Sequence, residues 1–140
     1  MKVVFVDTSF YLALLVPEDR WHEEALRLSN EFAGRRLTSE FVLCELGALL
    51  SVPRNRALFL EFVSLLDASE STDILPATQA DFRAGLDLFS ARPDKEWSLT
   101  DCISFGFMGR SGISSALTSD HHFEQAGFNL LKPDRLDSGN

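Results

Sequence analysis

Val3-Val4-Phe5-Val6-Asp7-Thr8-Ser9 is the stretch on which the fold class turns. Four apolar residues in a row, three β-branched and one aromatic, suit a strand buried on both faces, and Asp7-Thr8-Ser9 ends the run with helix-starting residues. Such a strand belongs in the middle of a parallel sheet. Outward from it, helical patterning covers 10–16 and 22–32, with Pro17-Glu18-Asp19 as the break, and Leu37-Thr38 reads as a minimal second strand. Helices are predicted over 41–50 and 57–66, separated by Pro53-Arg54-Asn55-Arg56, and Asp73-Ile74-Leu75 is a third strand. Phe82, Leu86 and Phe89 recur at helical spacing over 79–90, a run that Arg92-Pro93-Asp94-Lys95 closes. A helix over 99–108 ends at Gly109 and Gly112; Ser115-Ala116-Leu117-Thr118 is a fourth strand and Asn129-Leu130-Leu131 a fifth. Short strands alternating with helices predict an α/β domain with a parallel sheet and right-handed crossovers.

With 140 residues, 45% of them hydrophobic, the chain is long enough for one disulfide-free domain over residues 1–133, leaving 134–140 as a frayed tail. Cys44 and Cys102 match neither a C-x-x-C nor a zinc pattern and read as small core residues. The apolar N-terminal run is too short for a signal peptide or a membrane span, which predicts a soluble cytoplasmic protein without a membrane partner. A net charge of −8 speaks against holding nucleic acid on a broad basic surface. Carboxylates that converge on divalent cations would reverse that local sign.

Ligands of open parallel sheets bind beyond the carboxyl ends of the strands, and Asp7 and Asp120 each follow a strand there. The plainer role for such an Asp is a helix cap or a turn. Glu45 has Phe41, Val42 and Leu49 as helical neighbours, so its carboxylate lies along an apolar stripe that offers it no cation; otherwise it is a boundary residue reaching for solvent. Glu40, about 140° further round the helix, reads as helix-start polarity. Asp101 stands in the first turn of its helix, where acids are common, with Trp97 and Phe105 beside it.

Four stretches carry a resemblance: Val4-Phe5-Val6-Asp7-Thr8-Ser9, Leu37-Thr38-Ser39 leading to Glu45-Leu46, Trp97-Ser98-Leu99-Thr100-Asp101-Cys102, and Ala116-Leu117-Thr118-Ser119-Asp120-His121-His122-Phe123. In this order and spacing the chain resembles the PIN-domain nucleases, and among them the VapC-like toxins of toxin–antitoxin operons. The resemblance implies a three-layer α/β/α fold with a five-stranded parallel sheet, and hydrolysis of RNA phosphodiester bonds to 5′-phosphate and 3′-hydroxyl ends. It carries Asp7, Glu45, Asp101 and Asp120 over as metal-site carboxylates for Mg²⁺ or Mn²⁺, with hydroxyl contacts from Thr8 and Ser9. It also implies a cognate antitoxin and a homodimer, in which some of the 12 phenylalanines would cover the partner surface; the plainer alternative is that they fill the core. The pair His121-His122 is not needed by the common site, and Phe105 and Phe107 make the helix after Asp101 bulky. Arg35, Arg36, Arg54, Arg56 and Arg110 are cations available to RNA, though arginines are commonly plain surface charges.

A hard cation with oxygen ligands, one ion or two, would activate a water for in-line attack and stabilise the leaving oxygen. Four acids gathered without it repel, so at least one should have a raised pKa. An aspartyl-phosphate enzyme fits poorly: the phosphatase type wants a second acid where Ser9 stands, and a receiver domain wants its acceptor where Leu75-Pro76-Ala77 follows the third strand. The remaining alternative is a catalytically silent PIN-fold module that only binds RNA or protein.

Overall fold

A computed structural model describes residues 2–131. Five strands, β1 (Val3–Val6), β2 (Arg35–Ser39), β3 (Thr72–Leu75), β4 (Ser115–Leu117) and β5 (Asn129–Leu130), form one sheet in the order β3-β2-β1-β4-β5. Every pairing is parallel. As the run of apolar residues predicts, β1 is central: Val4, Phe5 and Val6 are fully buried although successive side chains point to opposite faces. Both faces of the sheet are therefore covered, as in a three-layer α/β/α sandwich.

The connecting helices are α1 (Thr8–Leu15), α2 (His22–Glu31), α3 (Glu40–Leu49), α4 (Pro53–Ala68), α5 (Gln79–Ala91), α6 (Leu99–Ser111) and α7 (His121–Gln125). Local chemistry sets their ends. Ser39 caps α3 by accepting from Val42 N, and Thr78 caps α5 by accepting from Asp81 N. Gly112, at φ 67°, closes α6 in the left-handed conformation that glycine adopts without a Cβ penalty. Two expected element boundaries need correction, as does the expected core position of Cys44. Pro53 is not a break ahead of the fourth helix but its first residue, where proline's missing N–H costs nothing. β2 is also longer than Leu37-Thr38, because pairing with β1 and β3 on its two sides recruits Arg35 and Arg36.

The phenylalanines mostly pack inward. Phe123 lies 4.9 Å from Phe105 and 6.4 Å from Phe5, Phe105 meets Trp97 edge-on at 5.1 Å, and Phe107 faces Phe41. The bulk at Phe105 and Phe107 thus fills the core, and Phe89 is the one exposed phenylalanine. Cys102 is buried, but Cys44 is exposed. It stands two positions past Val42, about 200° round α3, and lines a shallow apolar groove against Phe59, Leu60 and Val63 of α4. No described helix is long and apolar enough to cross a membrane. The expected tail at 134–140 lies outside the described residues.

α5 and α6 approach closely at Gly85, which is buried against Ile103. A Cβ at position 85 would overlap Ile103 Cγ1 and sit 3.2 Å from the Ile103 backbone nitrogen. Gly85→Ala is therefore expected to cost about 1–3 kcal/mol in urea unfolding, despite alanine's better helix propensity. Equal or greater stability of the variant would show that the two helices separate at no cost.

Candidate metal and active site

The order of the strands reverses between β1 and β4, the position at which open α/β sheets form a crevice. Asp7 N donates to Leu117 O at 3.1 Å, extending the pairing so that Asp7 and Thr118 leave the sheet side by side. Asp7 occupies the cap position of α1, yet its side chain makes no capping bond. Instead its Oδ2 accepts from Thr118 Oγ1 at 2.9 Å and from Ser9 Oγ at 3.1 Å. Thr118 Oγ1 in turn accepts from Asp120 N at 2.9 Å, and Asp120 Oδ1 caps α7 through His122 N. One hydroxyl thus ties the ends of the first and fourth strands together.

Asp101 enters from α6. It forms a reciprocal capping box with Ser98: Asp101 N donates to Ser98 Oγ, and Ser98 N to Asp101 Oδ2. His122 Nδ1 lies 3.1 Å from Asp101 Oδ2 and 3.3 Å from Asp120 Oδ1, between the two acids. Asp101 is thus both a helix-start acid and a wall of the site. Half-buried Glu45 comes from α3. Asp7, Glu45, Asp101, Asp120, Thr8, Ser9 and His122 all line one cleft of about 310 Å³. Glu40 faces elsewhere and accepts from Ala77 N, tying α3 to the segment after β3.

Charge is crowded in this cleft. Burial, and then the negative charge of Asp101, push Asp7 up from 3.8 to about 7, while the bonds from Thr118 and from the Thr8 backbone oppose the rise. Asp101 is raised as well, by burial first and by Asp120, against lowering contributions from the Ser98 backbone and His122. The arginines pair elsewhere: Arg35 with Asp73, Arg92 with Asp94, Arg110 with Asp81. Thr8 Oγ1 is buried without a hydrogen-bond partner. Converging carboxylate oxygens, an unsatisfied hydroxyl and a like-charge penalty together fit a hard divalent cation.

The family model for the PIN domain matches residues 4–129. This chain belongs to the PIN-domain family. The domain is 32% identical over 134 residues to the 23S rRNA-specific endonuclease VapC20 of Mycobacterium tuberculosis, covering 94% of this chain and 100% of that protein. Against the crystal structure of M. tuberculosis VapC20, described as a sarcin-ricin loop cleaving toxin, this PIN domain superposes with a TM-score of 0.82 at 29% identity. The match covers 89% of this chain and 95% of that one. FitAcB from Neisseria gonorrhoeae shares the fold at 16% identity, with a TM-score of 0.67 over 93% of this chain and 97% of its own.

Two residues that hold the acids of the PIN-domain cleft escape a reading of the sequence alone. Thr118 reads as the last residue of a strand, and nothing in its neighbours announces a bond to a residue 111 positions away. His122 reads as one of a pair of surface histidines that the common site does not need, but Asp120 caps a short helix that brings the His122 ring between both acids. Of the anticipated hydroxyls, Ser9 contacts Asp7, whereas Thr8 Oγ1 makes no hydrogen bond. Arg35, Arg36, Arg56 and Arg110 are engaged within the chain, with Asp73, Ser29, Ser51 and Asp81.

Proposed function

We propose that this PIN domain is the toxin of a toxin–antitoxin pair, a cytoplasmic endoribonuclease that hydrolyses RNA at a divalent-cation site formed by Asp7, Glu45, Asp101 and Asp120. The observation that carries the proposal is the convergence of these four acids on one cleft at the β1/β4 switch point. In this reading Asp7, Asp101 and Asp120 hold Mg²⁺ or Mn²⁺ at the floor, and Glu45 completes the oxygen set from α3. Thr118 and Ser9 fix the Asp7 carboxylate, and His122 keeps those of Asp101 and Asp120 turned inward. The ion supplies charge neutralisation at the scissile phosphate and acidification of a water. It also removes the objection raised by the net charge of −8, since the cleft that must meet a phosphate is then locally positive.

Full-length similarity to an rRNA endonuclease makes a ribosomal RNA loop the preferred substrate class. The test incubates the protein with ribosomes, with naked rRNA and with an unrelated RNA, each in Mn²⁺, Mg²⁺ or EDTA. Internal cleavage that needs the cation and leaves 5′-phosphate ends is expected, strongest on rRNA. No cleavage of any RNA in Mn²⁺ would instead favour a silent binding module. We also propose a homodimer, supported by the exposed Leu49, Val52, Leu60 and Leu65 around α3 and α4. Light scattering that gives a monomer mass at micromolar concentration would remove it.

A further inference from the structure

Beside the carboxylate cleft stands a donor set of different chemistry. Asp120 Oδ1 lies 3.3 Å from His122 Nδ1 and 3.8 Å from His121 Nδ1, and the ligand atoms of the three residues all fall within 4.8 Å of one another. Donors bound to a tetrahedral ion at about 2.1 Å sit roughly 3.4 Å apart, so the cluster needs little adjustment to close on a metal. The two imidazole rings lie 4.6 Å apart by their centroids and are tilted by 52°. His121 is largely exposed, with 68% of its side chain accessible, whereas Asp120 and His122 are mostly covered. Solvent therefore reaches the cluster mainly through His121.

We propose that Asp120, His121 and His122 form a second cation site, which takes a borderline transition-metal ion such as Zn²⁺ or Co²⁺ and shares Asp120 with the carboxylate cleft. Two imidazole nitrogens and one carboxylate oxygen suit such ions, whereas Mg²⁺ prefers an all-oxygen shell. Three protein ligands leave a fourth position for water. Sharing Asp120 couples the two sites: filling the second draws a carboxylate oxygen from the first and lowers cation affinity there. That coupling rests on the proposed role of the carboxylate cleft; the existence of the second site does not.

The test titrates Co²⁺ into metal-free protein in the presence of excess Mg²⁺ and follows the visible absorption of tetrahedral Co²⁺. One equivalent is expected to bind with this spectrum, and Zn²⁺ should displace it. His121→Ala alters an exposed side chain outside the carboxylate cleft and should weaken Co²⁺ binding at least tenfold, while leaving Mg²⁺-supported RNA cleavage at the parental rate. Absence of the tetrahedral spectrum, full displacement of Co²⁺ by Mg²⁺, or a parental isotherm in His121→Ala would each overturn the site. None of these readouts depends on RNA cleavage, so failure of the nuclease reading stays distinguishable.

Discussion

Asp7→Asn is expected to abolish cation-dependent RNA hydrolysis while making the metal-free protein more stable. The substitution preserves the shape of the side chain and an acceptor for the Thr118 and Ser9 hydroxyls, but removes one formal charge from the floor of the cleft. Because Asp7 titrates near 7 in the fold against 3.8 ordinarily, the folded protein binds more protons than the unfolded chain between those values. Stability must therefore fall as pH rises from about 4 to 7, and the loss is complete above that. At about 1.4 kcal/mol per pH unit the loss reaches up to about 4 kcal/mol. Asn cannot ionise and escapes it. In EDTA at pH 8 the variant should melt above its parent, and below pH 4 the two should converge. A variant that cleaves RNA at the parental rate in Mn²⁺ would remove Asp7 from the site, and one that melts lower at pH 8 would refute the charge crowding.

Phe123→Ala is expected to cost about 3–5 kcal/mol, the range for truncating a buried phenylalanine. The ring is fully buried between Phe5 and Phe105, so no solvent-exposed relaxation fills the space. It is also the buried residue of the five-residue helix α7, whose first turn carries His122 and whose cap is Asp120. Cleavage at a temperature where the variant is still folded should thus fall further than the folded fraction does. Urea unfolding that shows a loss under 1 kcal/mol would mean that α7 is held by its backbone bonds alone.

The residues explain why some features could be read in the sequence and others could not. β1 is legible because consecutive apolar residues leave no polar face, as in a strand buried on both sides, and Val4, Phe5 and Val6 are so buried while Val3 at the strand's start is exposed. Asp7 and Asp120 stand out because strand ends are where polar residues must be justified. Asp101 is ambiguous in sequence for a physical reason: the capping box and the cleft wall use the same carboxylate. The extent of β2 and the exposure of Cys44 depend on neighbours supplied by other segments, which local periodicity does not encode, whereas Pro53 at the start of α4 is a local signal for a helix's first residue as well as for a break. His122 was hidden for a related reason, since its position follows from a helix too short to show a period.

The bond from Thr118 Oγ1 to Asp7 Oδ2 spans 111 positions of the chain, and β4 must slide in beside β1 before it can form. On a translating ribosome, Asp7 emerges first and waits while β2, β3 and six helices are made. Domains complete themselves only when their last pairing segment is available. A nascent chain, or one terminated before Ser115, carries Asp7, Glu45 and Asp101 without the strand that gathers Asp7 and Asp120, and so has no assembled cleft. Assembly of the cleft is thereby deferred until β4 has been made.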